Sequence, residues 1–188
     1  MQKENQRVVI TKLLIKKALL KLLQKQHINK ISISELCQVA QINRTTFYRH
    51  YETPRSVLQE IAFDLISSFS EQFSSVKCAI DLKEFITQLC DFLYGQKSVV
   101  TILIRNDTEL DFTKMTQLLS NRFLRSRTIL YRGKAVDPDT LQLFTTFFSA
   151  GMYALISQWL TEDIPKTSKE IADLVCCSLN RDFIFQPQ

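Results

Sequence analysis

"ISISELCQVAQINRTTFYRHYE", residues 31–52, decides how this chain folds, because it packs two helix-start signals and a turn into a short span. Ser32 and Glu35 stand at the S-x-x-E spacing of a capping box, in which a hydroxyl and a carboxylate tie down the first free backbone donors of a helix. Ile31 before the cap and Leu36 within the helix are placed for a hydrophobic staple that fixes the entry angle. Asn43 is a favoured N-cap and predicts another helix from Arg44, so the first helix has room for only about two turns. A short helix, a tight turn and a second short helix form a helix-turn-helix, whose packing needs a small residue where the helices cross. Ala40 supplies it, Cys37 one turn earlier is equally slim, and Leu36, Ile42 and Phe47 can close the small core.

The second of these helices is defined by its faces. A helix advances about 100° per residue, so one that buries Phe47 and Tyr51 turns Thr45 and Arg49 nearly the opposite way, with Thr46 and Tyr48 on the flanks. Threonine offers a hydroxyl and a methyl to base edges, arginine bonds guanine bidentately, and a tyrosine hydroxyl can bond phosphate. Arg44, in the first turn, lies where recognition helices reach into the major groove. Read alone, "TTFYRHY" also fits an ordinary core edge; the coincidence in register of caps, small crossing residue and aromatic spacing favours a DNA-reading helix.

Charge points the same way. Residues 1–60 hold 11 Lys and Arg against 4 Asp and Glu, whereas residues 61–188 hold 13 against 15. A basic first third on a near-neutral remainder suits a polyanion at one end, although a solvated helix surface gives the same count. Ahead of the motif, Ile10, Leu13, Leu14, Ala18 and Leu22 follow helical spacing among Lys12, Lys16, Lys17, Lys21 and Lys25, which predicts an amphipathic first helix with Lys12 free for phosphate.

These residues carry a family likeness. "ISISELCQVAQINRTTFYRHYETPRSVLQEI", residues 31–61, resembles the DNA-binding segment of the TetR family of bacterial transcriptional regulators, and the likeness covers roughly the first 65 residues. The resemblance implies base or backbone contacts by Arg44, Thr45, Thr46, Arg49 and His50, a phosphate contact by Tyr48, and further phosphate contacts near Thr11 and Thr53. Two positions depart from the family pattern. Gln41 replaces the usual turn glycine and must adopt a left-handed conformation or a different turn. Pro54, well suited to a first helical position, stands where the family commonly has a phosphate-binding lysine, leaving Arg55 as the available substitute.

With 45% apolar residues, three glycines and four prolines in 188, the chain reads as all-α. A helix-turn-helix DNA-binding domain over residues 1–53 precedes a larger helical effector-binding and dimerisation domain over 54–188. A helix from Pro54 to about Ser74 should join them, and Asp81 with Glu84 should cap another that Gly95 ends. "SVVTILI" is read as helix because a lone strand would lack a partner, and a further helix is expected over 112–130. Asp137 and Pro138 open a long uncharged helix, and Thr167 with Glu170 caps the last one.

That long segment, "TLQLFTTFFSAGMYALISQWLT", is long enough to span a bilayer. Its polar residues Gln142, Thr145, Thr146, Ser149 and Tyr153 recur on one face, with Phe144, Phe147, Phe148, Gly151, Leu155 and Trp159 on another, which predicts a buried or partner-packed helix and no membrane. "FFSAGMYALISQWL" resembles the C-terminal half of regulators of dihydroxyacetone kinase operons. The family likeness implies a homodimer through the last two long helices, binding double-stranded DNA at a palindrome. An effector pocket inside the C-terminal helices would draw on Phe85, Leu89, Phe92, Phe147, Tyr153 and Trp159, with the effector unassigned.

Other classes find little support. Five cysteines without C-x-x-C spacing suit a reducing cytoplasm, and the polar opening "MQKENQRVVITK" carries no secretory pattern. Two histidines offer almost no raw material for a metal site, and no cofactor is expected. An enzyme would need a phosphate loop, a catalytic constellation or a metal cluster, none of which the sequence offers. The remaining alternative is a coactivator or adaptor that works mainly through a protein partner.

Overall fold

A computed structural model describes residues 2–74, 82–106, 127–131, 133–178 and 183–187. The fold is all-α. Helix α1 spans Gln2–Leu23, a 3-10 turn covers Ile28–Lys30, and α2 (Ile33–Ala40) and α3 (Arg44–Tyr48) follow. Then come α4 (Pro54–Ser74), α5 (Leu82–Gly95), α6 (Lys97–Asn106), α7 (Pro138–Thr161) and α8 (Ser168–Cys177). The capping signal expected at Asp81 and most of the helix expected over 112–130 lie outside the described residues. Where that span emerges, at 127–130, the chain is strand rather than helix: β1 (Arg127–Tyr131), β2 (Lys134–Ala135) and β3 (Phe183–Pro187) form an antiparallel sheet in the order β2-β1-β3. Gly133, at φ 76°, turns the first hairpin, and Ile129 pairs with Phe185. β-branched and aromatic residues in both long strands favour this pairing.

Two compact units emerge. One comprises Met1–Leu65 with Ile102–Thr108, the other Ile66–Thr101 with Glu109–Gln188. The first unit therefore extends past residue 53 into α4, and it takes in the end of α6 as well. Both α4 and α6 run continuously from one unit into the other.

The core of the first unit gathers Ile15, Leu19 and Leu22 of α1, Ile31, Leu36 and Ala40 around α2, Phe47 and Tyr51, and Val57, Leu58 and Ile61 of α4. In α1 the buried stripe is Ile15, Ala18, Leu19, Leu22 and Leu23, while Ile10, Leu13 and Leu14 lie exposed, contrary to the expected pattern. Lysines on both flanks leave the apolar residues nearly all round this helix, so their spacing alone does not select the inward side.

Asn106, buried at the end of α6, donates from Nδ2 to the Ile102 carbonyl at 2.9 Å and accepts the Ile28 N–H on Oδ1 at 2.8 Å. One side chain thus satisfies a buried donor in the turn between α1 and α2.

In the second unit, α5 packs on α8, and Ile86, Leu89 and Leu93 of the one and Ile171, Ala172 and Val175 of the other are buried. The inward side of α7 is Thr145, Ser149, Met152, Ile156, Trp159 and Leu160. This corrects the expected division of that helix, because Trp159 shares the buried side with Thr145 and Ser149, not with Phe147. The two hydroxyls are tolerated inside because they bond back to the Leu141 and Thr146 carbonyls at 2.7 and 3.2 Å. No helix of the described residues is long and apolar enough to cross a membrane.

Candidate functional site

The geometry of α2, its turn and α3 follows from three local devices. Ser32 Oγ accepts the Glu35 N–H at 3.1 Å, capping α2. The expected box is half closed, since the Glu35 carboxylate instead accepts Gln26 Nε2 at 2.8 Å. At the other end, Gln41 adopts φ 56°, ψ 42°. Its N–H bonds the Gln38 carbonyl, and the Ile42 N–H bonds the Cys37 carbonyl at 3.0 Å, a Schellman motif with glutamine at the position that favours glycine. Finally, Asn43 Oδ1 accepts the Thr46 N–H at 2.7 Å and starts α3. Ala40 and Cys37 are both buried where α2 meets α3.

Phe47 and Tyr51 both point inward, their ring centroids 6.0 Å apart. Arg44, Thr45, Tyr48 and Arg49 consequently face solvent, and Thr46 and His50 are half-buried on the flanks. The Tyr48 and Phe47 rings meet edge to face with centroids 5.8 Å apart, and Tyr48 remains more than half exposed. Thr53, exposed, caps α4 by accepting the Ser56 N–H at 3.1 Å, and Pro54 takes the first helical position behind it. Arg55 bonds Asn29 Oδ1 at 3.0 Å, which holds its guanidinium beside the turn ahead of α2.

A charged network backs this surface. Glu60 of α4 receives Lys12 at 3.0 Å and Lys16 at 2.7 Å, and Asp64 receives Lys16 at 2.6 Å. Lys12 also sits 5.3 Å from the centre of the Tyr51 ring. Partial burial pushes the Glu60 carboxyl up, but the ammonium groups of Lys16 and Lys12 outweigh it and hold the group below the usual carboxylate range. For Lys16, burial opposes charging and the carboxylates of Asp64 and Glu60 prevail, raising its pKa. Burial, reinforced by the neighbouring Glu60 charge, pushes the Tyr51 phenol up, so this ring stays neutral. Lys12 is therefore engaged in holding α1 to α4, not free as the sequence suggested. Thr11, half-buried, donates its hydroxyl to the Arg7 carbonyl at 2.8 Å.

Of the candidate effector residues, Phe85 and Phe92 meet the buried Phe69 edge-on at 6.2 and 5.2 Å, and Leu89 is buried on the same helix. Trp159 is buried, stacked on Tyr94 of α5 at 5.5 Å, and its Nε1 donates to the Lys166 carbonyl at 3.0 Å. Tyr153 is half-buried. Phe147 is not among the buried candidates: it is 81% exposed on the outward side of α7. Among the described residues no group of His, Cys, Asp and Glu could hold a metal ion.

Residues 81–181, more than half of the chain, match the TetR-family model described as "Transcriptional regulator C-terminal region". The chain belongs to the TetR family of transcriptional regulators. Its fold is similar to the crystal structure of a TetR transcriptional regulator from Streptococcus agalactiae 2603V, with a TM-score of 0.70 at 19% identity over 96% of this chain and 99% of that one. It is also similar to the dihydroxyacetone kinase operon activator DhaS, with a TM-score of 0.60 at 16% identity over 90% and 94% of the two chains. No curated protein matches the sequence.

TetR-family regulators bind DNA and dimerise, and the chain's homologues are regulators rather than enzymes. Within that frame, sequence reasoning missed Glu60, Asp64 and Asn106. The carboxylates lie 48 residues from the lysines they neutralise, and Asn106 lies 78 residues from Ile28. Only the i, i+4 spacing of Lys12 with Lys16 and of Glu60 with Asp64 hinted that two charged helix faces could meet.

Proposed function

We propose that this TetR-family member is a ligand-responsive repressor that reads a palindromic operator as a homodimer in the cytoplasm, and that it is not an enzyme. The observation that supports this most is the orientation of α3: with Phe47 and Tyr51 buried, Arg44, Thr45, Tyr48 and Arg49 share the solvent side of a capped, braced helix. In this reading Arg49 and Thr45 meet base edges, with Arg44, Thr46 and His50 on bases or backbone. Tyr48 and Thr53 bond phosphates, and Thr11 lies near the backbone.

The dimer would form through α7 and α8. Leu143, Phe147, Ala150, Gly151 and Ala154 line the outward side of α7, and an added Cβ at Gly151 would meet open space. Aromatic and small residues at such spacing suit close helix packing against a copy of the same surface. Binding of an effector among Phe85, Leu89 and Phe92 would then change the separation of two recognition helices one DNA turn apart.

A second reading has its own support. Pro54 donates nothing where a phosphate-binding lysine is expected, and Lys12 is tied to Glu60, which favours an adaptor or coactivator that acts through a protein partner. Footprinting with the chain alone separates the two. Protection of two symmetric half-sites supports direct reading, whereas protection only after a partner is added overturns it.

A further inference from the structure

The DNA contacts proposed above include none of Val9, Ile10, Leu13 and Leu14 on the outward side of α1, and the chemistry of that side is unusual for a solvated helix. Val9, Ile10, Leu13 and Leu14 are 60, 53, 49 and 44% exposed. At about 100° per residue they occupy the half-turn opposite the buried stripe of Ile15, Leu19 and Leu22. Four half-exposed aliphatic side chains make a patch on the order of 400 Å², within the size range of the largest apolar patch on a monomer, which is often functional.

Arg7, Lys17 and Lys21, all exposed, rim this patch, and residues 5–34 contain no Asp or Glu at all. Lys12 and Lys16 are neutralised by α4 on the other flank, so the positive field belongs to the outward face. We propose that this face of α1 docks an acidic amphipathic helix of a partner protein.

Charge and shape select that occupant. Positions 9, 10, 13 and 14 provide the i, i+3, i+4 anchors by which one helix receives another, and the cationic rim asks for carboxylates flanking the partner's apolar stripe. A second copy of the chain is disfavoured, because a self-complementary contact would set Arg7, Lys17 and Lys21 against their own equivalents with no carboxylate between them. A lipid surface is disfavoured too: residues 1–46 contain no Phe, Tyr or Trp, and the patch spans only about 8 Å along the helix, little for interfacial anchoring. Bare DNA would leave the aliphatic groups uncovered.

The test uses the full chain, isotope-labelled for NMR, without DNA, so its outcome is independent of operator binding. The probe is a synthetic helical peptide of about twenty residues, with leucines at i, i+3, i+4 and i+7 and glutamates elsewhere. We expect saturable shifts confined to α1. Binding should weaken at least tenfold in the Ile10→Ser, Leu13→Ser double variant, whose exposed positions leave the core intact, and similarly in the Lys17→Glu, Lys21→Glu variant. The same peptide with lysines for glutamates should not bind. The proposal is overturned if the acidic peptide does not bind, if the lysine version binds equally, or if neither variant weakens binding. Shifts on α1 produced by anionic vesicles but not by the peptide, or concentration-dependent self-association abolished by Leu13→Ser, would also overturn it.

Discussion

Gln41 carries the most informative backbone conformation of the reading unit. A side chain in the left-handed region costs about 1 kcal/mol or more relative to glycine, which in turn loses more freedom on folding. Gln41 is exposed, so its side chain returns little in packing. Gln41→Gly should therefore stabilise the chain by about 0.5–1 kcal/mol, read as a higher midpoint of chemical denaturation. A lower midpoint would mean that the glutamine side chain contributes a contact that its exposure does not reveal. The choice between a left-handed turn and a different turn was open in the sequence; the Schellman hydrogen bonds of Gln41 and Ile42 resolve it. By contrast, the Ser32 and Asn43 caps were legible outright, because a cap bonds a backbone group only three residues away.

At the scale of elements, α1 and α4 are joined by Lys12, Lys16, Glu60 and Asp64. Glu60 has a folded pKa below its unfolded value, so its contribution is fully present above the unfolded carboxylate range and is lost as pH falls through the folded pKa. Lys16, raised when folded, contributes below its unfolded pKa and loses that contribution only as pH rises through the folded value. Stability followed by denaturation should thus fall on acidification through the carboxylate range, and Glu60→Gln should flatten that fall at a cost of about 1 kcal/mol at neutral pH. An unchanged acid limb in the variant would show that Glu60 does not carry the dependence.

The same elements show where sequence reasoning stops. Periodicity located α1, α4 and α7 well, yet it could not choose the inward side of α1 or α7, because both helices carry apolar residues on two sides. Phe147 and Trp159, expected together on one apolar face, for that reason lie on opposite sides: Phe147 outward and Trp159 buried. The hairpin at 127–135 was missed although Gly133 marks it, since its partner β3 lies more than fifty residues further along the chain.

For the molecule as a whole, the outward apolar side of α7 predicts association. Phe147→Glu places a charge at the centre of that side, and it should shift sedimentation from dimer to monomer while leaving the helical content unchanged, because Phe147 contributes little to the chain's own core. Operator affinity should fall with it, since each protomer would then read one half-site alone. A dimer that persists in this variant would place the interface elsewhere.

The central claim, that α3 presents Thr45 and Arg49 to base edges because Phe47 and Tyr51 are buried, is tested most directly by selecting bound DNA from a random pool. The account predicts enrichment of an inverted repeat with half-sites about one helical turn apart, and an Arg49→Ala variant that loses about 1–3 kcal/mol and relaxes its preference at one base in each half-site. No enrichment above the input pool, or an unchanged preference in the variant, would contradict it.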